Sequence, residues 1–414
     1  MLTGVVPSFT KRVPSGLVAE RKRPKWEVAD VFRMHGKEYR ANHSLPLSHL
    51  KVMRSIEVCR TSYLGGHVKE CELCGFKKPS YNSCRNRHCP KCQSLTKAQW
   101  LQERKSELLP VGYFHDVFTL PHKLNPLILC NKKILFDILF KAVSETILEF
   151  GRNNIGGKSG FLCILHTWDQ VLRGHFHLHC VVPSGALSLD KSRWIPGKKN
   201  FLFDVTALSI VFRKKFITLL EAAYDKDQLV FPGNIASLAT KRGFSRFIDS
   251  LWEHRWVVYS KKPFGGPEQV LDYIGRYTHR VAISNNRIIN VQDGEVTFAY
   301  RDRKHGDVQK TKTLKAEEFI SRFLLHVLPD RFIRIRHFGF LANRCKKDDI
   351  QRIRELKGVS ATVMEKTKKT TQELMLETTG TDITKCPCCK KGTMEVISEI
   401  TPMWKMGLKY LDSS

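Results

Sequence analysis

Residues 174–185 read GHFHLHCVVPSG. Histidine falls at 175, 177 and 179, with Phe176, Leu178, Cys180 and Val182 between and after. Strict alternation is the pattern of a β-strand with one buried face. His175, His177 and His179 then share one face, and the apolar set shares the other. Neighbours at i and i+2 sit ~7 Å apart along a strand, so two adjacent imidazoles can converge on one ion. Three in a row span ~13 Å, too far without a bend, so a further ligand has to come from a neighbouring element. LHTWDQ (165–170) offers His166, Asp169 and Gln170 on the other arm of a hairpin. A lone strand histidine is usually structural, but three on one face point to a metal or catalytic site.

The flanking sequence extends the same pattern. YFHDVFTLP (113–121) and GFLCILHTWDQ (160–170) have strand composition bounded by Pro or Gly. The segment 125–151 between them has helical spacing and stops at Gly151. RVAISNNRIINVQDGEVTFAYRD (280–302) reads as strand, Asn-Asn turn, strand, Asp-Gly turn, strand. Residues 111–345 therefore form one α+β domain, an antiparallel sheet with helices on it. Residues 1–27 read as a basic arm. Residues 28–110 form an N-terminal helical and metal-binding domain. Residues 346–414 turn charged and Thr/Lys-rich and read as a linker and Cys-containing tail.

The chain of 414 residues holds 69 Lys and Arg against 40 Asp and Glu, a net charge of +29. That excess favours a polyanionic partner, most commonly nucleic acid. No stretch approaches the ~20 apolar residues of a membrane span, and the N-terminus lacks a secretory pattern. The expected setting is cytoplasmic, with no membrane partner.

Cysteines cluster. Cys71-x2-Cys74 and Cys89-x2-Cys92 form two knuckles fourteen residues apart, which together would supply four thiolates to one zinc ion. Cys59, His67, Cys84 and His88 could close a second site or stand by as spectators. Arg85, Arg87 and Lys91 surround these ligands and suit phosphate contact. CPCC (386–389) is a further half-site without a nearby partner knuckle, to be completed by Cys345 or another chain, or inert.

A second constellation follows in FGGPEQVLDYIGRYTHRVAIS (264–284). Pro267 and Glu268 suit a helix start. Val270, Tyr273, Ile274 and Tyr277 then share one helix face. The two tyrosines lie one turn apart, ~6 Å along the axis. Gly275 inside a helix hints at close backbone approach. An apolar stripe with two tyrosines is commonly core. Beside a histidine strand in a very basic chain, the hydroxyls become candidate nucleophiles for a phosphodiester, with Arg276 and Arg280 to neutralise it.

Taken together, these segments resemble the HUH-type two-tyrosine rolling-circle transposases of bacterial insertion sequences, the insertion sequence ninety-one family. The resemblance rests on CRTSYLGGHVKECELCG, YNSCRNRHCPKCQ, YFHDVFTLPHKLNP, LHTWDQVLRGHFHLHCVVPSGAL, WVVYSKKPFGGPEQVLDYIGRYTHRVAISNNRI and EEFISRFLLHVLPDRFIRIRHFGFLANR, which cover most of residues 28–345 in order. The family often has proline where this chain has Phe176. The resemblance implies a zinc module followed by an HUH nuclease-like domain acting on single-stranded DNA at transposon ends. His177 and His179 would hold a magnesium or manganese ion, Tyr273 and Tyr277 would be the nucleophiles, and the zinc module would carry one or two ions. Two other readings stand beside it: a replication initiator or relaxase of the same chemistry, and a non-enzymatic zinc-containing nucleic-acid-binding protein.

Overall fold

A computed structural model describes residues 24–198, 202–261, 269–270, 275, 281–302, 305–359 and 369–406. The chain opens with helices α1 (Val28–Asn42) and α2 (Leu47–Glu57). Val28, Val31, Phe32 and Tyr39 of α1 pack with Val52, Met53 and Ile56 of α2. Arg40 pairs with the buried Glu57 at 2.6 Å, so the carboxylate enters this helix interface with its counter-charge. A hairpin follows, β1 (Gly66–Cys71) and β2 (Lys77–Tyr81), and then α3 (Gln93–Lys105).

The central part is built on β3 (Tyr113–Thr119), α4 (Asn125–Cys130), α5 (Lys132–Phe150), β4 (Phe161–Trp168) and β5 (Gly174–Pro183). The short hairpin β6 (Gly185–Leu187) and β7 (Trp194–Pro196) leads to α6 (Val205–Asp225), α7 (Lys241–Glu253) and β8 (Val257–Lys261). A three-stranded meander comes next, β9 (Ile288–Gln292), β10 (Glu295–Asp302) and β11 (Val308–Lys315), then α8 (Ala316–Leu325) and β12 (Ile335–Phe338). The chain closes with α9 (Lys346–Leu356), α10 (Thr371–Thr379) and β13 (Met394–Ile400).

The principal sheet has five strands in the order β12-β4-β5-β3-β8, with every neighbouring pair antiparallel. It has two unlike faces, as the alternation in 174–185 requires. Phe176, Leu178, Cys180 and Val182 point into the main core with Phe114 and Phe118 of β3, under α5, α6 and α7. Burying each large apolar side chain contributes roughly 1.5–3 kcal/mol, which pins the register. The histidines occupy the other face. That face also carries a smaller cluster in which Tyr113, Leu162, Ile164 and Val181 pack with Val270. Gln269, Val270 and Gly275 are helical. A Cβ on Gly275 would lie 2.9 Å from Leu101 Cδ1 of α3, so the close approach suspected from the sequence is present. Helical backbone therefore lies over the histidine face and under α3.

Two expectations need correction. VAIS (281–284) is not a hairpin strand: these residues are irregular and Asn285–Arg287 form a 3-10 turn. Asn285 Oδ1 accepts a hydrogen bond from Val28 N at the start of α1 (3.2 Å), so this polar stretch docks on the N-terminal helix instead of reversing the chain. The segment 346–414 is not merely a linker and tail. Ile350 and Ile353 of α9 pack with Leu109, Leu187 and Phe340, and the buried Asp349 pairs with Lys158 and Lys191. β13 adds to β1 antiparallel, giving a sheet β13-β1-β2 in which Gly66 faces Ile400. No helix among the described residues is long and apolar enough to cross a membrane.

Candidate active site

His177 and His179 point the same way from β5, and their Nε2 atoms are 3.1 Å apart. His166 of β4 is the cross-strand partner of His177. One ring nitrogen from each of His166, His177 and His179 lies within 4.8 Å of the others, and all three residues are buried. His166, one of the residues offered by LHTWDQ, thus stands where a third ligand could be supplied. Asp169 is not available for that role. Its Oδ1 accepts from Val171 N and Arg173 N, and its Oδ2 accepts from Arg173 Nε, all at 2.8–2.9 Å, which closes the β4–β5 turn. A register shift between His166 and Trp168 supplies the local bend.

The rings are held by partners of their own. His177 Nδ1 lies 2.9 Å from the His175 carbonyl, which fixes Nδ1 as the donor and leaves Nε2 with its lone pair. His175 therefore contributes its backbone, while its ring sits beside that of His122. His179 Nδ1 lies 2.8 Å from His115 Nε2 of β3. Where His179 Nε2 serves as a ligand, Nδ1–H donates to His115. Sequence reading did not single out His115; its signal was the alternation in YFHDVF, which places it on the face of Tyr113. Burial, with the neighbouring His166 and His175, holds His177 well below the usual histidine range, so it is neutral at neutral pH. Burial likewise brings His115 to about 4, aided by Lys261. A divalent ion binds imidazole in its neutral form, which is the form His177 holds.

The cysteines gather into two foursomes, and not in the pairing expected from spacing. Cys59, Cys84, Cys89 and Cys92 form one. Cys71 and Cys74 meet Cys386 and Cys389 in the other. Nearest sulfur contacts are 3.6 Å in the first and 3.7 Å in the second, close to the ~3.8 Å edge of a tetrahedron of thiolates at ~2.3 Å from zinc. All are free thiols, too far apart for disulfides. The second group adds backbone donors: Cys388 N–H points to Cys386 Sγ and Gly392 N–H to Cys389 Sγ, each at 3.3 Å. A Cβ on Gly392 would sit 2.5 Å from Cys71 Sγ, so only glycine fits there. Both donor sets suit structural zinc. The knuckles separate because β1 pairs with β13, which carries the C-terminal half-site to Cys71 and Cys74. CPCC is thus completed within this chain, and Cys345 and Cys388 stay outside the foursome.

His67 and His88 join neither group. His67 lies in β1 opposite Glu399 and Ser80. His88 Nε2 faces Leu328 N at 3.4 Å. Among the basic residues expected to meet phosphate, Arg87 donates to the Phe332 carbonyl (2.6 Å), Lys91 pairs with Glu27, and Arg85 is exposed. Tyr273, Tyr277, Arg276 and Arg280 lie outside the described residues.

Comparisons with known proteins agree with both halves of this layout. A family model described as "Transposase zinc-binding domain" matches residues 31–120, and one described as "Putative transposase" matches residues 160–349. The chain is 46% identical over 383 residues to "Putative transposase y4qJ" of Sinorhizobium fredii, covering 91% of this chain and 96% of that protein. It is 29% identical over 306 residues to "Transposase for insertion sequence element IS801" of Pseudomonas savastanoi pv. phaseolicola, covering 70% and 72%. No solved structure gives a significant match. The chain belongs to the insertion sequence ninety-one family of transposases, DNA-cleaving and strand-transferring enzymes with an N-terminal zinc-binding domain.

Proposed function

We propose that the protein nicks and rejoins single-stranded DNA at the ends of its element through a 5′-phosphotyrosine link, as in rolling-circle transposition. The observation that supports this most is the convergence of three buried imidazoles on the sheet face that Val270 covers. In sequence, Tyr273 and Tyr277 follow Val270 on one helical face. We assign them as nucleophiles, with Arg276, Arg280 and Arg85 as phosphate contacts. A divalent ion on His166, His177 and His179 would polarise the scissile phosphate and offset its growing charge. Three imidazoles suit manganese better than magnesium, which prefers oxygen donors.

In the proposed step a tyrosine oxygen attacks phosphorus and its proton passes to solvent. The bond from phosphorus to the 3′ oxygen breaks, and that oxygen takes a proton from solvent to leave a free 3′-hydroxyl. The phosphotyrosine bond keeps the energy of the broken diester, so attack by a 3′-hydroxyl on the link rejoins a strand without ATP. A second tyrosine lets the enzyme hold or cleave a second strand. The two cysteine groups each take one zinc ion, which shapes a module that helps locate the transposon end. Membership in a transposase family weighs against the initiator, relaxase and non-enzymatic readings.

Incubation with end-sequence single-stranded DNA and Mn2+, followed by a denaturing gel, tests this reading. The wild type should give a protein–DNA adduct, absent when Tyr273→Phe and Tyr277→Phe are combined or when His177→Ala is introduced. A folded wild type that forms no adduct with any divalent ion contradicts it.

A further inference from the structure

The molecule also holds a cleft that the nicking step does not use. Its volume is about 620 Å³, within the roughly 300–1,000 Å³ typical of ligand clefts. One wall is α2, which presents Ser48, Lys51, Arg54 and Ser55. The opposite walls are the turn Asn86–His88 of the zinc module and the loop Val327–Asp330 after α8. Lys51 is exposed, and Arg54 lies over the Tyr63 ring at 4.6 Å. Asp330 is the one carboxylate among the described lining residues.

Behind the lining the charge is also positive. Lys132 Nζ donates to the Leu325 and Val327 carbonyls (2.9 and 3.1 Å), bracing the loop that forms one wall. Burial brings this ammonium down to about 8, and burial with the nearby Arg87 brings Arg334 to about 10. Arg334 lines a narrower cavity that shares His88 and Leu328 with the cleft. Cations gathered in a partly buried place repel one another and lose hydration, and a polyanion offsets both costs.

The cleft is also well placed. The narrower cavity is lined by Trp168 and His326 as well as His88. Trp168 stacks on His166 (4.9 Å between centroids, 20° between planes) and meets His326 edge-on at 5.9 Å. Trp168 thus lies between the candidate metal ligands and the narrower cavity, which in turn shares His88 and Leu328 with the cleft.

We propose that this cleft, between α2, the zinc module and the Val327–Asp330 loop, binds a nucleotide of single-stranded DNA next to the scissile link, with Lys51 and Arg54 on its phosphate. It rests on the reading of the protein as a single-strand nuclease, and it deepens that reading by naming where the flanking strand sits. The hydroxyls of Ser48 and Ser55 and the amide of Asn86 supply hydrogen bonds of either sense for the sugar and base. The cleft joins both parts of the molecule, so strand binding there couples recognition by the zinc module to the cleavage site.

The test is a salt titration of binding, using full-length, zinc-loaded protein and a fluorescent single-stranded 20-mer of mixed sequence. Anisotropy gives the slope of log K against log [KCl], which falls in magnitude by ~0.7 for each phosphate contact removed from a single strand. Lys51→Gln should lower it by ~0.7 and Lys51→Gln with Arg54→Gln by up to ~1.4, with affinity at 100 mM KCl down about tenfold. Lys214→Gln with Lys241→Gln, on helices that cover the opposite sheet face, should leave slope and affinity unchanged. An unchanged slope in the folded Lys51 and double variants overturns the proposal. So does displacement of the 20-mer by polyglutamate as readily as by unlabelled single strand, which would mark a general anion surface. His177→Ala separates the two readings: it should abolish the adduct while the slope stays at the wild-type value. If the wild type forms no adduct but the Lys51 effect persists, the nuclease reading fails and the binding cleft stands.

Discussion

His179 is gripped at both ring nitrogens' sides: Nδ1 meets His115, and Nε2 faces His177. A ligand held this way keeps its tautomer and orientation, and removing the outer partner of a metal-binding histidine typically costs 10–100-fold in affinity. His115→Phe should therefore weaken Mn2+ binding by about that factor in calorimetry, with the melting temperature little changed. Asp116, the next residue along β3, points the other way into the main core. Neither of its oxygens has a partner within hydrogen-bonding geometry, and burial raises it to about 6 despite the nearby Ser260. The folded chain then holds a proton that the unfolded chain has lost between about 4 and 6, so this residue's contribution falls as pH rises through that window. The cost at pH 7 is roughly 3 kcal/mol, from ~1.4 kcal/mol per unit. Asp116→Asn should melt higher than wild type at pH 7.5, with the difference shrinking towards pH 4. A constant difference across pH would show that the charge is not the cause.

At the level of elements, the strand at 174–185 was legible because period-2 alternation is local and its apolar face must be buried. The choice of His166 was half legible: the hairpin brought it into range, but only the register sets it opposite His177 and only the turn occupies Asp169. The cysteine pairing was not legible. Spacing joins knuckles near in sequence, whereas β13 returns from the far end of the chain to pair with β1. The alternation in MEVISEI (394–400) was the available signal, masked by the Lys/Thr-rich run before it. The proposed pairing predicts zinc contents. Wild type should bind two ions per chain by metal analysis. Cys386→Ser and Cys89→Ser should each leave one, whereas His67→Ala and His88→Ala should leave two. A full content in Cys386→Ser would restore the pairing of neighbouring knuckles.

Across the whole molecule, the two ends of the described chain are joined: α1 and α2 begin the fold, and β13 completes the sheet begun by β1. If zinc secures that closure, chelation at neutral pH should release the C-terminal region first. Limited trypsin digestion should then cut within 357–391 at least tenfold faster than in the zinc-loaded protein, while the five-stranded sheet stays protected. Equal rates would place the closure on strand pairing alone. The overall fold class was readable from the alternation of strand and helix patterns. The docking of Asn285 on α1 was not, because an Asn-Asn pair between apolar runs carries the same local signal whether it turns a hairpin or caps a distant contact.

The central claim is that Tyr273 or Tyr277 becomes joined to DNA. The most direct measurement is mass spectrometry of the wild-type protein after reaction with single-stranded end DNA and Mn2+, nuclease trimming and trypsin digestion. The account predicts a nucleotide-bearing peptide that contains Tyr273 or Tyr277 and is missing from the His177→Ala protein. A nucleotide on any other residue, or none on a protein that cleaves the strand, would contradict it.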